Sequence, residues 1–173
     1  MLTLITGGSG SGKSEFAEDL SVSYKSNNLI YIATMFLYDN ESLKKVERHK
    51  RMRDHKNFKT IECFKNLNAL SISNNSTVLI DCMSNLVANE MYLEGGAKDK
   101  TVQEVIRGIE SINNQAENLV IVTNEVFSDG IVYDDDTMRY IRNLGEINKE
   151  IGKKADNVVE VVYSIPVFHK GGI

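Results

Sequence analysis

Leu2-Thr3-Leu4-Ile5-Thr6 runs directly into Gly7-Gly8-Ser9-Gly10-Ser11-Gly12-Lys13-Ser14, and a helical pattern from Glu15 to Tyr24 follows. The octet fits the phosphate-binding loop G-x-x-x-x-G-K-[ST], here in the strand–loop–helix context that gives the pattern meaning. Its glycines allow a tight turn in which successive N–H groups point inward at phosphate oxygens. The helix that starts there adds its positive end. Lys13 is placed to reach the outer phosphates, and the Ser14 hydroxyl to ligate Mg²⁺. The expected ligand is a nucleoside triphosphate, held by Gly7, Gly8, Ser9, Gly10, Ser11, Gly12, Lys13 and Ser14. A plain Gly/Ser turn ahead of an ordinary helix is the competing reading.

Around this loop the chain reads as one α/β domain covering residues 1–173, a P-loop nucleotide-binding fold with a mostly parallel sheet flanked by helices. Short β-rich runs alternate with helical stripes, which is the pattern of such a sheet. Strands are expected at Leu2–Thr6, Leu29–Thr34, Thr77–Met83, Leu119–Asn124 and Asn157–Tyr163, with a shorter one at Lys59–Glu62. Phe16, Leu20 and Tyr24 recur every four residues behind the loop. Val102, Val105, Ile106, Ile109 and Ile112 draw a second stripe, and Met138, Ile141, Leu144, Ile147 and Ile151 a third. All three are expected to face the core. Glu94–Lys100 and Ser128–Asp136 read as exposed loops.

Composition narrows the class. No segment approaches the roughly 20 apolar residues that span a bilayer. The chain opens directly on a strand, so no leader segment is expected. Two cysteines, Cys63 and Cys82, lie in apolar runs without metal spacing, which suits a reducing, cytoplasmic setting. A net charge of −4 argues against a general nucleic-acid partner. One stretch opposes that average: Lys44 to Lys56 holds seven Lys/Arg and two histidines against two acids.

Ligands of open α/β sheets bind beyond the carboxyl ends of the strands, so the residues just past each strand are the candidates. Thr77-Val78-Leu79-Ile80-Asp81 is an apolar run ending in an acid that can hold Mg²⁺ directly or through water. Asp81 can equally cap a turn. Thr34 ends the second strand and Glu62 the short one; both join the expected nucleotide-binding set. Glu125 follows the next strand and is either a second carboxylate near the metal, an acceptor for substrate, or a turn residue. If the basic segment is helical, Lys45, His49 and Arg53 share one stripe. Cations around His49 disfavour its protonated form, leaving a neutral imidazole able to attack phosphorus. The competing reading is a solvated basic face. His55 lies off the stripe, and His169 has no obvious partner.

Taken together, several segments resemble the bifunctional adenosylcobinamide kinase and adenosylcobinamide-phosphate guanylyltransferase family of cobalamin biosynthesis. They are Leu4-Ile5-Thr6-Gly7-Gly8 with Ser11-Gly12-Lys13-Ser14, Tyr31-Ile32-Ala33-Thr34, Arg48-His49-Lys50, and Leu79-Ile80-Asp81-Cys82 with Asn85-Leu86. Thr123-Asn124-Glu125-Val126, Gly130-Ile131-Val132, the stretch Arg139–Asn148 with Arg142, Gly145 and Asn148, and Ile165-Pro166-Val167 complete the set. The T-N-E-V…G-I-V and R-H-K segments discriminate best, and the pieces span nearly the whole chain in order. The resemblance implies two chemistries at one nucleotide site. The γ-phosphoryl of ATP or GTP goes to the hydroxyl of the cobinamide aminopropanol arm. GMP then passes from GTP, through a guanylyl-histidine at His49, to give adenosylcobinamide-GDP. It further implies Lys13 and His49 as catalytic residues, a corrinoid substrate and a homotrimer. Departures from the family pattern occur at Ser9-Gly10 (usually Ala-Arg), Phe127 (usually Gly), Tyr133 (usually Pro) and the Phe168-His169-Lys170 ending. None touches Lys13, Ser14, Asp81 or His49. Without the resemblance, a P-loop small-molecule kinase or a non-catalytic nucleotide-binding module fits the same residues.

Overall fold

The computed structural model describes residues 1–36, 55–131 and 133–172. Lys45, His49 and Arg53, the Arg48-His49-Lys50 segment and Val132 lie outside the described residues. Seven strands form one sheet: β1 (Leu2–Thr6), β2 (Leu29–Ala33), β3 (Lys59–Glu62), β4 (Thr77–Asp81), β5 (Asn118–Val122), β6 (Asn157–Val162) and β7 (Ile165–Lys170). Their order across the sheet is β3-β2-β4-β5-β1-β6-β7. Every neighbouring pair is parallel except β6 with β7. The expected α/β class and mostly parallel sheet therefore stand.

Alternation along the strands sorts side chains to two faces. Leu2, Leu4, Ile30, Ile32, Val78, Ile80, Leu119 and Ile121 point one way, into the larger core. There they meet α2 (Met83–Tyr92), α3 (Thr101–Gln115) and α4 (Asp135–Lys154). Ile5, Tyr31, Leu79, Val120, Val122, Val159 and Val161 point the other way, against Ala17 and Leu20 of α1 (Lys13–Ser23). The third stripe is core-facing most strongly at Leu144, Ile147 and Ile151. In α4 the Asp134 carboxylate accepts from the Thr137 N–H at 2.9 Å, capping the helix. Acids at its start and Lys153 and Lys154 at its end suit the helix dipole.

Six expected boundaries need correction. The run Thr77–Met83 is strand only to Asp81; Met83 already starts α2. That helix lacked a visible boundary because Cys82 offers no side-chain cap, and because burial of Met83, Ser84, Leu86, Val87, Asn89, Glu90 and Met91 nearly all round leaves no polar stripe. Thr34, Thr123 and Asn124 fall just past their strands, and Asn118 joins β5. Tyr163 is not strand: with Ser164 it forms the two-residue turn into β7, both at positive φ (50° and 63°). No Gly, Asn or Asp announced that turn. The two loops are also shorter than expected, since Lys98–Lys100 forms a single 3-10 turn and α4 begins at Asp135. Pro166 sits on the antiparallel edge strand, a place in a sheet where its missing N–H is tolerated.

Candidate functional site

Helix α1 begins without a side-chain cap. Its N-cap is Gly12 in the left-handed region (φ 89°), so the N–H groups of its first turn are left to a ligand. Gly7 lies so close to its surroundings that a Cβ there would come within 2.6 Å of the Val161 carbonyl oxygen. The loop is braced from β6–β7: the Ser164 N–H donates to the Ser11 carbonyl at 2.8 Å. Ser11 Oγ is sealed from solvent yet has no hydrogen-bond partner among the described residues. A buried hydroxyl left so costs about 1–3 kcal/mol, and an anionic oxygen in the loop would satisfy it. Gly8, Ser9 and Gly10 are exposed; Ser14 is half-buried.

Lys13 is buried and donates to the Gly8 carbonyl at 3.0 Å. Burial lowers its pKa, and the neighbouring Cys82 and Asp81 oppose that shift. The Cys82 thiol is itself pushed up to about 11, chiefly by burial, so it is uncharged at neutral pH. Asp81 is therefore the anion that helps keep the Lys13 ammonium protonated.

Asp81 shares sheet parity with Leu79 and so projects to the α1 face, as Tyr31 does. The Tyr31 hydroxyl donates to Asp81 Oδ2 at 2.9 Å. Thr34 is fully buried and joins β2 to the end of β4. Its hydroxyl accepts from the Cys82 N–H at 2.8 Å and donates to the Cys82 carbonyl at 2.7 Å. Asn89 Nδ2 closes the cluster by donating to the Thr34 and Phe64 carbonyls at 2.8 and 2.9 Å. Tyr31, Asn89 and the Tyr163-Ser164 turn escaped the sequence reading. Nothing local in the sequence set Asn89 apart, since the same helix also carries Ser84, Asn85 and Glu90.

Glu125 is tied to the loop by its backbone, its N–H donating to the Gly7 carbonyl at 3.1 Å. Its carboxylate accepts from the Phe127 N–H and the Ser128 hydroxyl, each at 2.8 Å. The turn role is thus present, beside the phosphate loop. Glu62 stands apart, exposed at the end of β3 and paired in register with Ala33. Four strand spacings separate β3 from β1, roughly 19 Å. His49 lies outside the described residues. His55 is exposed, and His169 Nε2 lies 3.0 Å from Glu160 Oε2 on the far sheet edge.

A family profile described as cobinamide kinase / cobinamide phosphate guanyltransferase matches residues 3–168. The chain belongs to this family. Among relatives of the family, it is 32% identical over 182 residues to the bifunctional adenosylcobalamin biosynthesis protein CobU of Escherichia coli (strain K12), covering 96% of this chain and 98% of that protein. The protein of the same name from Salmonella typhimurium is 30% identical with the same coverage. The flagellar accessory protein FlaH from Methanocaldococcus jannaschii superposes with a TM-score of 0.49 at 10% identity, over 99% of this chain and 78% of that one.

For a divalent cation, the donors on hand are the Ser14 hydroxyl and the Asp81 carboxylate. No group of three or more His, Cys, Asp or Glu side chains forms a metal cage among the described residues. A single carboxylate with a hydroxyl is the donor set of a Mg²⁺ that takes its other oxygens from phosphates and water. The residues present fit the ion.

The brace predicts one strong backbone effect. A Cβ on Gly12 would lie 2.5 Å from Ser164 Oγ and 3.3 Å from its Cα. Gly12→Val also forces a β-branched residue to a left-handed φ. Unfolding by urea is expected to show a loss of about 3 kcal/mol, accompanied by weaker nucleotide binding in calorimetry.

Proposed function

We propose that the protein phosphorylates adenosylcobinamide with ATP or GTP and then transfers GMP from GTP to the product, giving adenosylcobinamide-GDP. The observation that carries this reading is the buried Lys13 in an uncapped phosphate loop beside Asp81, within a chain of this family. Gly7 to Ser14 cradle the phosphates, and Lys13 neutralises the oxygens on which charge gathers during transfer. Ser14 and Asp81 would hold a Mg²⁺ ion, which would supply neutralisation of phosphate charge when bound. Tyr31 fixes the Asp81 carboxylate, and Thr34 fixes the strand end that carries it. Thr34 and Glu62 complete the proposed nucleotide-binding set. Glu125 is the proposed acceptor for the incoming hydroxyl, in addition to the two hydrogen bonds its carboxylate already accepts from its own turn.

In the second reaction the His49 imidazole attacks the α-phosphorus of GTP. The bond from that phosphorus to the bridging oxygen breaks, pyrophosphate leaves, and a phosphoramidate with GMP remains. A phosphate oxygen of cobinamide phosphate then attacks the same phosphorus and releases the histidine. The whole chain acts as a single domain, in the cytoplasm, as a homotrimer. The free, buried cysteines support the compartment, and exposed Ile165, Val167 and Phe168 on the edge strand support assembly. Among the described residues no helix is long and apolar enough to cross a membrane, and nucleic acid is not among the proposed partners.

The test is direct. With Mg²⁺, ATP and cobinamide, phosphorylated cobinamide is expected by chromatography, and adding GTP is expected to convert it to the GDP form. Phosphorylation without conversion would leave a small-molecule kinase; nucleotide binding with neither product would leave a binding module.

A further inference from the structure

Beside the phosphate loop, at the same carboxyl edge of the sheet, lies a pocket of about 530 Å³ that includes Val126, Asp129, Tyr133, Thr137, Tyr140 and Ile141 in its lining. We propose that this pocket is the acceptor site, which seats an edge of the corrinoid ring and directs its hydroxyl arm to the terminal phosphate; this rests on the kinase reading above.

The argument begins with strand order. β5 lies between β4, which ends in Asp81, and β1, which feeds the phosphate loop. The loop leaving β5 therefore rises beside the place where a terminal phosphate meets Lys13 and Asp81. Its wall is fastened there by the Glu125–Gly7 backbone bond at 3.1 Å.

The lining suits the acceptor. A corrinoid is a broad, flat macrocycle fringed with amide groups and carrying a cationic metal. It is too large to enter a space of this volume whole, so a pocket of this size takes a ring edge and an arm. Tyr133, Tyr140, Val126 and Ile141 offer apolar and aromatic contact. Asp129 and Glu125 offer carboxylate acceptors to amide N–H groups and to the positive charge. The Tyr133 hydroxyl donates to Asp129 Oδ2 at 2.6 Å, which fixes its ring across the opening. The Tyr140 hydroxyl donates to the Ser84 carbonyl at 3.3 Å, which fixes the opposite wall to α2. Phe127, 43% exposed, and Ile131, 59% exposed, add apolar surface in the same loop.

Two of the departures from the family pattern fall here. Phe127 packs against Gly145 of α4, where a Cβ would meet its ring at 3.4 Å. Tyr133 replaces a residue that usually has no ring of this size or hydroxyl. Both reshape the acceptor side and leave the nucleotide side untouched, so this chain's preference among corrinoids is set here.

The test is steady-state phosphorylation of cobinamide by ATP with Tyr133→Ala, Tyr133→Phe and Ile141→Ala, each checked by its thermal melt. Removing the ring or the opposite apolar wall is expected to raise the KM for cobinamide about tenfold. Tyr133→Phe should stay within about twofold, and the KM for ATP should not move in any variant. A cobinamide KM unchanged in both alanine variants, or an ATP KM rising in parallel, overturns the assignment. If wild type yields no phosphorylated cobinamide at all, the kinase reading falls and takes the acceptor site with it. If wild type turns over and only the alanine variants stay flat, the acceptor site alone falls.

Discussion

Lys13→Ala is expected to lower kcat/KM for cobinamide phosphorylation by about 10³-fold or more, and to remove guanylyl transfer with it. The size follows from where the ammonium sits. It is buried, so its charge acts through a medium that screens poorly, and Asp81 helps to keep it protonated despite that burial. In the described structure it holds the Gly8 carbonyl at 3.0 Å, a contact that a phosphate oxygen would replace. Lysine here does more than bind, because the charge it meets grows as the phosphoryl group moves. Lys13→Arg should rescue little, since a planar guanidinium does not fit a loop built for a point charge. Single-turnover assays with saturating ATP separate the two effects. A variant that only binds more weakly would recover its rate at saturation, and that recovery would contradict the assigned role.

How much of this was legible beforehand depends on whether the information was local. The phosphate loop was readable because its chemistry is contiguous: eight residues, flanked by a strand and a helix. Asp81 was readable because an apolar strand ending in an acid is local too. Tyr31 was not, since its contact with Asp81 arises from β2 and β4 being neighbours, a fact of sheet order alone. The same holds for the Ser164 brace, which connects residues 153 positions apart in sequence. Helix α2 was hidden for a different reason. It is buried on nearly every side, so the period that betrays an amphipathic helix is absent. Strand β7 was hidden because it is an exposed edge with a proline and a turn without glycine. Glu125 shows a further limit. Sequence placed it correctly past a strand, but could not show that both carboxylate oxygens already accept hydrogen bonds from its own turn.

His49→Ala is expected to abolish covalent labelling by GTP while sparing cobinamide phosphorylation. With GTP and Mg²⁺, wild type should gain the mass of one GMP in intact-protein mass spectrometry, and the variant should gain nothing. The reasoning is electrostatic. Residues 44–56 carry seven Lys/Arg against two acids, and like charges penalise an imidazolium among them. The neutral imidazole is the nucleophilic form of a histidine. The same cations favour the developing charge on the α-phosphate oxygens. The adduct should be acid-labile and stable to alkali, as a phosphoramidate is. A label that survives in His49→Ala moves the nucleophile, with His55 the next residue to replace. Equal loss of kinase activity in His49→Ala would show that the histidine serves the shared nucleotide site rather than the transfer step alone.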